Sequence, residues 1–277
     1  MNFLSNSSAL IIDLRNNGGG SPSMIQLIST YLYDQDEDPV HLNNFYWRPS
    51  DEHTQTWTLP YVPGNRLGSD VDVYVLTSGQ TFSAAEEFTY NLKNLERATI
   101  VGETTGGGAH PGGTQIATDR FVVWVPSGRA INPITETNWE GTGVTPHVDV
   151  PREEALAKAH LMALEKLADK DGPMKARYEW YVPTLNAKLN PAEVSADVLK
   201  SYAGSYGPRK LTFEDGQLFY NRGENEPRPL IPLSNDLFFM EDIPYFRVKI
   251  DKKDGQILGI KGLYDNGRED YSPLERT

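Results

Sequence analysis

Ala9-Leu-Ile-Ile-Asp-Leu-Arg-Asn-Asn-Gly-Gly-Gly20 is the stretch whose reading decides the fold. The short unbroken apolar run Ala9–Asp13 suits a strand buried on both faces, and a glycine loop follows it at once. A helix comes next: Ser21 or Ser23 can cap it, Pro22 suits its first turn, and Met24, Ile25, Leu27, Ile28, Tyr31 and Leu32 give it a broad apolar face ending near Tyr33. The unit recurs downstream. Val71–Thr77 alternates and is rich in β-branched residues, and Ala84, Ala85, Phe88, Leu92 and Leu95 then fall at helical spacing. Ala98–Gly102 is a third buried strand, followed by a glycine-rich loop, Thr104–Gly113, that carries His110. Val148–Val150 is one more strand, and Pro151 opens a helix to about Asp169. Strands alternating with helices imply βαβ units and a mostly parallel sheet. Two stretches interrupt them: a polar, aromatic excursion over residues 34–70 with one hairpin, and a hairpin of Gln115–Ala117 with Arg120–Pro126.

The 277 residues suffice for two units, and the composition shifts after the last long helix. The expected division is an α/β core over 1–171, a charged, proline-containing linker over 172–191, and a small all-β, barrel-like module over 192–277. In that module the turn pairs Asp215-Gly216, Asp254-Gly255 and Asn266-Gly267 separate strand-like runs. Hydrophobic residues at 38% with 14 Tyr, 10 Phe and 5 Trp rule out general disorder. A net charge of −12 opposes a broad grip on nucleic acid or anionic lipid. The absence of cysteine excludes disulfides, cysteine-based metal centres and a thiol nucleophile. No apolar run is long enough to span a membrane. The chain enters a core strand within a few residues of Met1, so the expectation is that it continues a longer parent protein.

Three places carry chemistry. Ser83 stands where a strand and loop give way to a helix, at the sheet's C-terminal edge beside a helix N-terminus, where an oxyanion is favoured. Ser83-Ala-Ala-Glu86 also reads as a capping box that merely satisfies backbone amides. The loop Asn16–Gly20 offers open amides for an oxyanion, for a phosphate or for nothing but a tight turn; it lacks the spacing of a phosphate loop. His110 is a general base, a substrate contact or a solvated loop residue. Glu140, in a turn, reads on composition as a surface residue. His41, His53, His147 and His160 show no ligand spacing, so no metal and no cofactor is expected.

In order, residues 9–20, Thr77–Glu87, Ile100–His110 and Glu140-Gly-Thr-Gly-Val-Thr-Pro146 resemble the tail-specific, or C-terminal-processing, serine protease superfamily, in the branch of tricorn-core-like and retinoid-binding-protein-like members. The resemblance covers about residues 9–167. It implies a crotonase/ClpP-like fold, Ser83 as acyl-enzyme nucleophile, an oxyanion hole from the amide of Ala84 and one from the Gly18–Gly19 turn, and a supporting role for Glu140. The lysine-dependent branch carries its base after the third strand, where Gly106–Gly108 stand here, so a Ser–Lys dyad is excluded. The tricorn-like base would lie upstream of Met1, leaving His110 as the base within this sequence and implying weak or no peptide turnover by this chain alone. Also implied are a peptide or protein substrate and a periplasmic or extracellular parent; an upstream part lacking here would leave one side of the core sheet exposed, so the chain is expected to associate with itself through that edge, as a dimer or larger, or to pair with a missing partner. A second reading is a non-catalytic module binding an apolar ligand or peptide, with Phe45, Tyr46, Trp47 and Trp57 lining a groove.

Overall fold

The first unit of the chain, Met1–Ala163, is built from β1 (Ala9–Asp13), α1 (Pro22–Thr30), β2 (His41–Trp47), β3 (Glu52–Trp57), β4 (Asp72–Thr77), α2 (Ala84–Asn94), β5 (Thr99–Gly102), β6 (Gly112–Thr118), β7 (Phe121–Pro126), β8 (Gly128–Ile131), β9 (Val148–Asp149) and the first part of α3 (Ala155–Ala168). The structure, a computed structural model, describes Met1–Glu275; Arg276 and Thr277, the end of the expected all-β module, lie outside the described residues. Strands β1, β4, β5 and β9 form one sheet in the order β1-β4-β5-β9, every pairing parallel.

Alternation along β4 shows why this sheet is covered on both faces. Val73 and Val75 join Leu10, Ile25, Phe88, Leu92 and Ile100 in one core, under α1 and α2. Tyr74 and Leu76 turn the other way, against Val101 and the small residues Ala155, Ala159 and Ala163 of α3. A strand buried on both faces reads as a continuous apolar run, which is what β1, β4 and β5 show.

Element ends differ from the sequence reading in instructive ways. Helix α1 stops at Thr30 rather than Tyr33, because Tyr31 and Leu32 donate to Ile28 and Ser29 in a tightened last turn. Helix α3 begins at Ala155, after a turn in which Glu154 N–H donates to Pro151 O. The expected excursion hairpin is β2–β3, and it pairs with β8, a four-residue strand too short to announce itself in sequence. The β6–β7 hairpin stands exposed, with Phe121 to Val125 apolar yet largely solvent-facing.

The second unit runs over Leu164–Thr277. Residues 172–191, expected as a linker, form helix α4 (Lys175–Leu189). Pro183 lies inside α4, and burial of Thr184, Leu185 and Ala187 holds the helix through it against local preference. After α5 (Ala196–Ser201) come two antiparallel sheets. One is β10 (Gly204–Tyr206), β11 (Arg209–Glu214), β12 (Gln217–Arg222) and β13 (Arg228–Pro229). The other is β14 (Ile231–Pro232), β15 (Leu237–Met240), β16 (Ile243–Lys253), β17 (Gln256–Tyr264) and β18 (Glu269–Pro273). Tyr206, Leu211 and Leu218 from the first share one core with Phe238, Val248 and Ile260 from the second. No helix among the described residues is long and apolar enough to cross a membrane.

Arg209 of β11 ties the two sheets together. It is buried and donates to Asp270 Oδ2 at 2.8 Å and Ser272 Oγ at 3.3 Å, both on β18, and to the Tyr220 hydroxyl at 3.1 Å. The guanidinium holds the Asp270 carboxyl below its ordinary value of 3.8. A carboxyl depressed on folding stabilises above its unfolded value and ceases to as pH falls through its folded one. Asp270→Ala is expected to lower stability at pH 7 by about 2 kcal/mol, discounted because the carboxylate is partly exposed. Urea titrations should show that deficit shrink below pH 3.8.

Candidate active site

Strand register assembles the site. Asp13 lies opposite Leu76, and Thr77 opposite Gly102, so β1, β4 and β5 end nearly level and their following loops emerge at one sheet edge. Hydrogen bonds then lace the loops. Thr81 Oγ1 donates to Leu14 O at 2.8 Å, Ser78 Oγ to Arg15 O at 2.6 Å and Phe82 N–H to Asn17 O at 3.1 Å, while Gly106 N–H donates to Thr81 O at 3.0 Å.

Ser83 is the bend between the β4 loop and α2. Its backbone has φ 55° and ψ −123°, a region that side-chain-bearing residues rarely occupy and that costs of order 1–3 kcal/mol. Such a sharp strand-to-helix turn pushes the side chain out of the backbone and toward whatever faces the helix N-terminus. The amide of Ser83 donates to Glu86 Oε2 at 2.8 Å, while the Ser83 hydroxyl stays looser than a capping hydrogen bond. The expected capping box is therefore present, its hydroxyl half looser than its carboxylate half.

Glu86 does more than cap. Fully buried, it accepts from Ser83 N–H just before α2, from Thr105 Oγ1 at 2.5 Å, from Gly107 N–H at 2.6 Å and from Gly108 N–H at 2.8 Å. One carboxylate thus pins the serine bend to the loop after β5. That loop is glycine-rich because Phe82 lies on it: a Cβ on Gly108 would run into the Phe82 ring. Residues 139–144 clip it from outside, with Trp139 Nε1 donating to Gly108 O at 3.1 Å and Gly141 N–H to Gly107 O at 2.9 Å.

The remaining site candidates fall around Ser83. Gly19, at φ 124°, packs so tightly that a Cβ there would lie 3.2 Å from Ser83 Oγ. Its amide is two bonds of about 1.5 Å from that position, hence within about 6 Å of the hydroxyl. The Gly19 amide is engaged, donating to Asn17 Oδ1 at 2.9 Å. Gly18 faces open space where a side chain would stand, nothing lying within 4 Å of an added Cβ. Ala84 is the first residue of α2, a position whose amide has no partner within the helix. His110 and Ser83 line one cavity of about 210 Å³. His110 Nδ1 is 3.7 Å from Glu140 Oε2, and that oxygen accepts from Ala109 N–H at 2.6 Å. Glu140 is thus tied to the loop that carries His110.

Two residues escaped the sequence reading. Glu86 appeared only as a cap partner; the signal for its larger role was a run of glycine amides at 106–108 needing an acceptor. Glu87, 4% exposed, lines the same cavity as Ser83 and His110. Two adjacent glutamates on a helix read as solvent-facing polarity, so nothing in the pattern singled it out. Of the aromatic residues expected to line a groove, Phe45 borders this cavity. Tyr46 borders another, and Trp57 stacks on His41.

The family model for peptidase family S41 matches residues 1–150. The chain belongs to peptidase family S41. The members of that family are serine peptidases. Among solved structures, a putative S41 protease from Bacteroides fragilis is 22% identical at a TM-score of 0.50, covering 61% of this chain and 48% of that one. The photosystem II D1 C-terminal processing protease is 25% identical, with TM-score 0.42, covering 53% of this chain and 35% of that one. Mature CPAF complexed with lactacystin is 20% identical, with TM-score 0.47, covering 60% and 44%. The chain matches about half or less of the length of these three structures.

Burial pushes the Glu87 carboxyl up from 4.5 to about 7. The folded chain therefore keeps a proton that the unfolded chain gives up, so this stabilisation is complete below about pH 4.5 and is lost as pH rises through about 7. Glu87→Gln, never charged, is expected to exceed the wild type in stability at pH 8 by about 3 kcal/mol and to match it at pH 4. Urea midpoints at the two pH values measure this, and a wild-type-like response of the variant to pH would contradict it.

Proposed function

We propose that this chain carries the acyl-transfer centre of a serine peptidase, with Ser83 as nucleophile, His110 as general base and Glu140 as the group that orients His110. The observation that carries the reading is the strained Ser83 bend at a helix N-terminus, opening into a cavity that His110 also lines. In the first half-reaction Ser83 Oγ attacks the peptide carbonyl carbon as His110 takes the hydroxyl proton. The carbonyl oxygen becomes an anion facing the Ala84 amide and the Gly18–Gly19 turn. Collapse breaks the C–N bond, His110 returns its proton to the leaving amine, and an ester remains on Ser83. Water, deprotonated by His110, then releases the acid and restores the serine. For the Gly19 amide to donate to the oxyanion, Asn17 Oδ1 has to let it go. An apolar cavity of about 110 Å³ beside Gly19 and Ala84, walled by Leu14, Met24, Ile25 and Phe88, suits an apolar substrate side chain.

That apolar cavity also favours the second reading, binding of an apolar ligand or peptide without turnover. A fluorophosphonate probe separates them. Labelling is expected at Ser83, absent in Ser83→Ala and reduced by roughly 10²–10⁴-fold in His110→Ala. Labelling elsewhere, or a rate that His110→Ala leaves unchanged, would defeat these assignments.

Association of copies through β1 belongs to the same proposal. That strand ends the four-stranded sheet, so its outer edge has no strand partner among the described residues. Light scattering after size exclusion should give the mass of a dimer or larger; a monomer at every concentration would refute it.

A further inference from the structure

Two neighbouring glutamates on α2 are both buried, and they differ in what compensates them. Glu86 accepts four hydrogen bonds from the loops it joins. Glu87, one position on, has a single long one, from Asn43 Nδ2 to Oε1 at 3.2 Å. Among the described residues no cation contributes to its electrostatic surroundings, in which loss of water dominates. A carboxyl in that condition is expensive to keep, and a hydrophobic or amide side chain of similar size would cost less. It sits where a ligand arrives, since it lines the cavity shared by Ser83 and His110.

Besides Ser83, His110 and small residues of the glycine loops, that cavity is lined by three aromatic side chains, Phe45, Trp124 and Trp139. Aromatic faces accept the methylene stem of a long basic side chain and attract its cationic head, and guanidinium stacks on them especially well. An aromatic-walled slot with an uncompensated acid is complementary to one class of side chain. We infer that Glu87 is a specificity-determining residue, pairing with the lysine or arginine side chain of a peptide held beside the scissile bond. The inference rests on the reading of this cavity as the peptide site. It assigns the missing counter-charge to the substrate. The apolar cavity lined by Gly19 and Ala84 would then hold a neighbouring apolar residue.

The test uses binding rather than turnover. In the full-length Ser83→Ala chain, N-acetyl-arginine amide, N-acetyl-lysine amide and N-acetyl-norleucine amide are titrated while tryptophan fluorescence is followed, Trp124 and Trp139 being in the cavity wall. The two cationic amides are expected to bind about tenfold tighter than norleucine amide, which matches lysine in length without the charge. Adding Glu87→Gln should bring all three within about twofold, and Glu87→Asp should keep a reduced preference, serving also as the check if the glutamine variant misfolds. Equal binding of the three amides when Glu87 is present, or a preference that survives Glu87→Gln, would overturn the inference. With the serine removed, the result is independent of acylation. Probe labelling at Ser83 without a cation preference would leave the nucleophile assignment standing and remove this one, and a cation preference without labelling would do the reverse.

Discussion

Four hydrogen bonds converge on the Glu86 carboxylate, and most of what is unusual about the first unit follows from them. Burying an ionised carboxylate costs several kcal/mol unless donors replace its water. Here the replacements come from the Ser83 amide, the Thr105 hydroxyl and two successive glycine amides. The loop after β5 can supply those amides because glycines let it lie flat against Phe82. In return, the carboxylate holds Ser83 in a backbone conformation that it would otherwise leave. Strain at the serine and satisfaction at the glutamate are therefore parts of one arrangement, and removing either would release the other.

Strand ends decide where that arrangement forms. Because β1, β4 and β5 stop at nearly the same level, three loops of different sequence meet without any of them having to be long. The loop side chains then bond to neighbouring backbone: Thr81 to Leu14, Ser78 to Arg15, Thr77 Oγ1 to Glu103 O at 2.8 Å. The β2–β3–β8 sheet adds the aromatic wall at Phe45 and the amide of Asn43.

The parallel sheet was legible because strands covered on both faces have to be apolar throughout, so residues 9–13, 72–77 and 99–102 announce themselves. Ser83 and Glu140 could be proposed only through the resemblance of whole motifs, and His110 only as the base left within this sequence, since each alone has an ordinary structural reading. What stayed hidden depended on contacts distant in sequence. Strand β8 exists because β2 is there to pair with it. Helix α4 persists through Pro183 because residues after the proline are buried. The amide of Gly19, expected to be free, is taken by a side chain two residues away, a local competition that asparagine is well suited to win.

The contrast between Glu86 and Glu87 bears on how a site of this kind separates its tasks. A group that holds geometry should be saturated with fixed donors, so that its energy does not change when a ligand enters. A group that selects a ligand should be left short of partners, because the free energy of recognition comes from the partner the ligand brings. One turn of α2 provides both, since successive helical positions point about 100° apart. Glu86 turns toward the glycine loop, and Glu87 turns toward the cavity. The cost of leaving Glu87 with one long hydrogen bond appears as its carboxyl rising to about 7, so that near neutral pH it is in part a neutral acid. A cation entering the cavity would favour the ionised form and so release that proton.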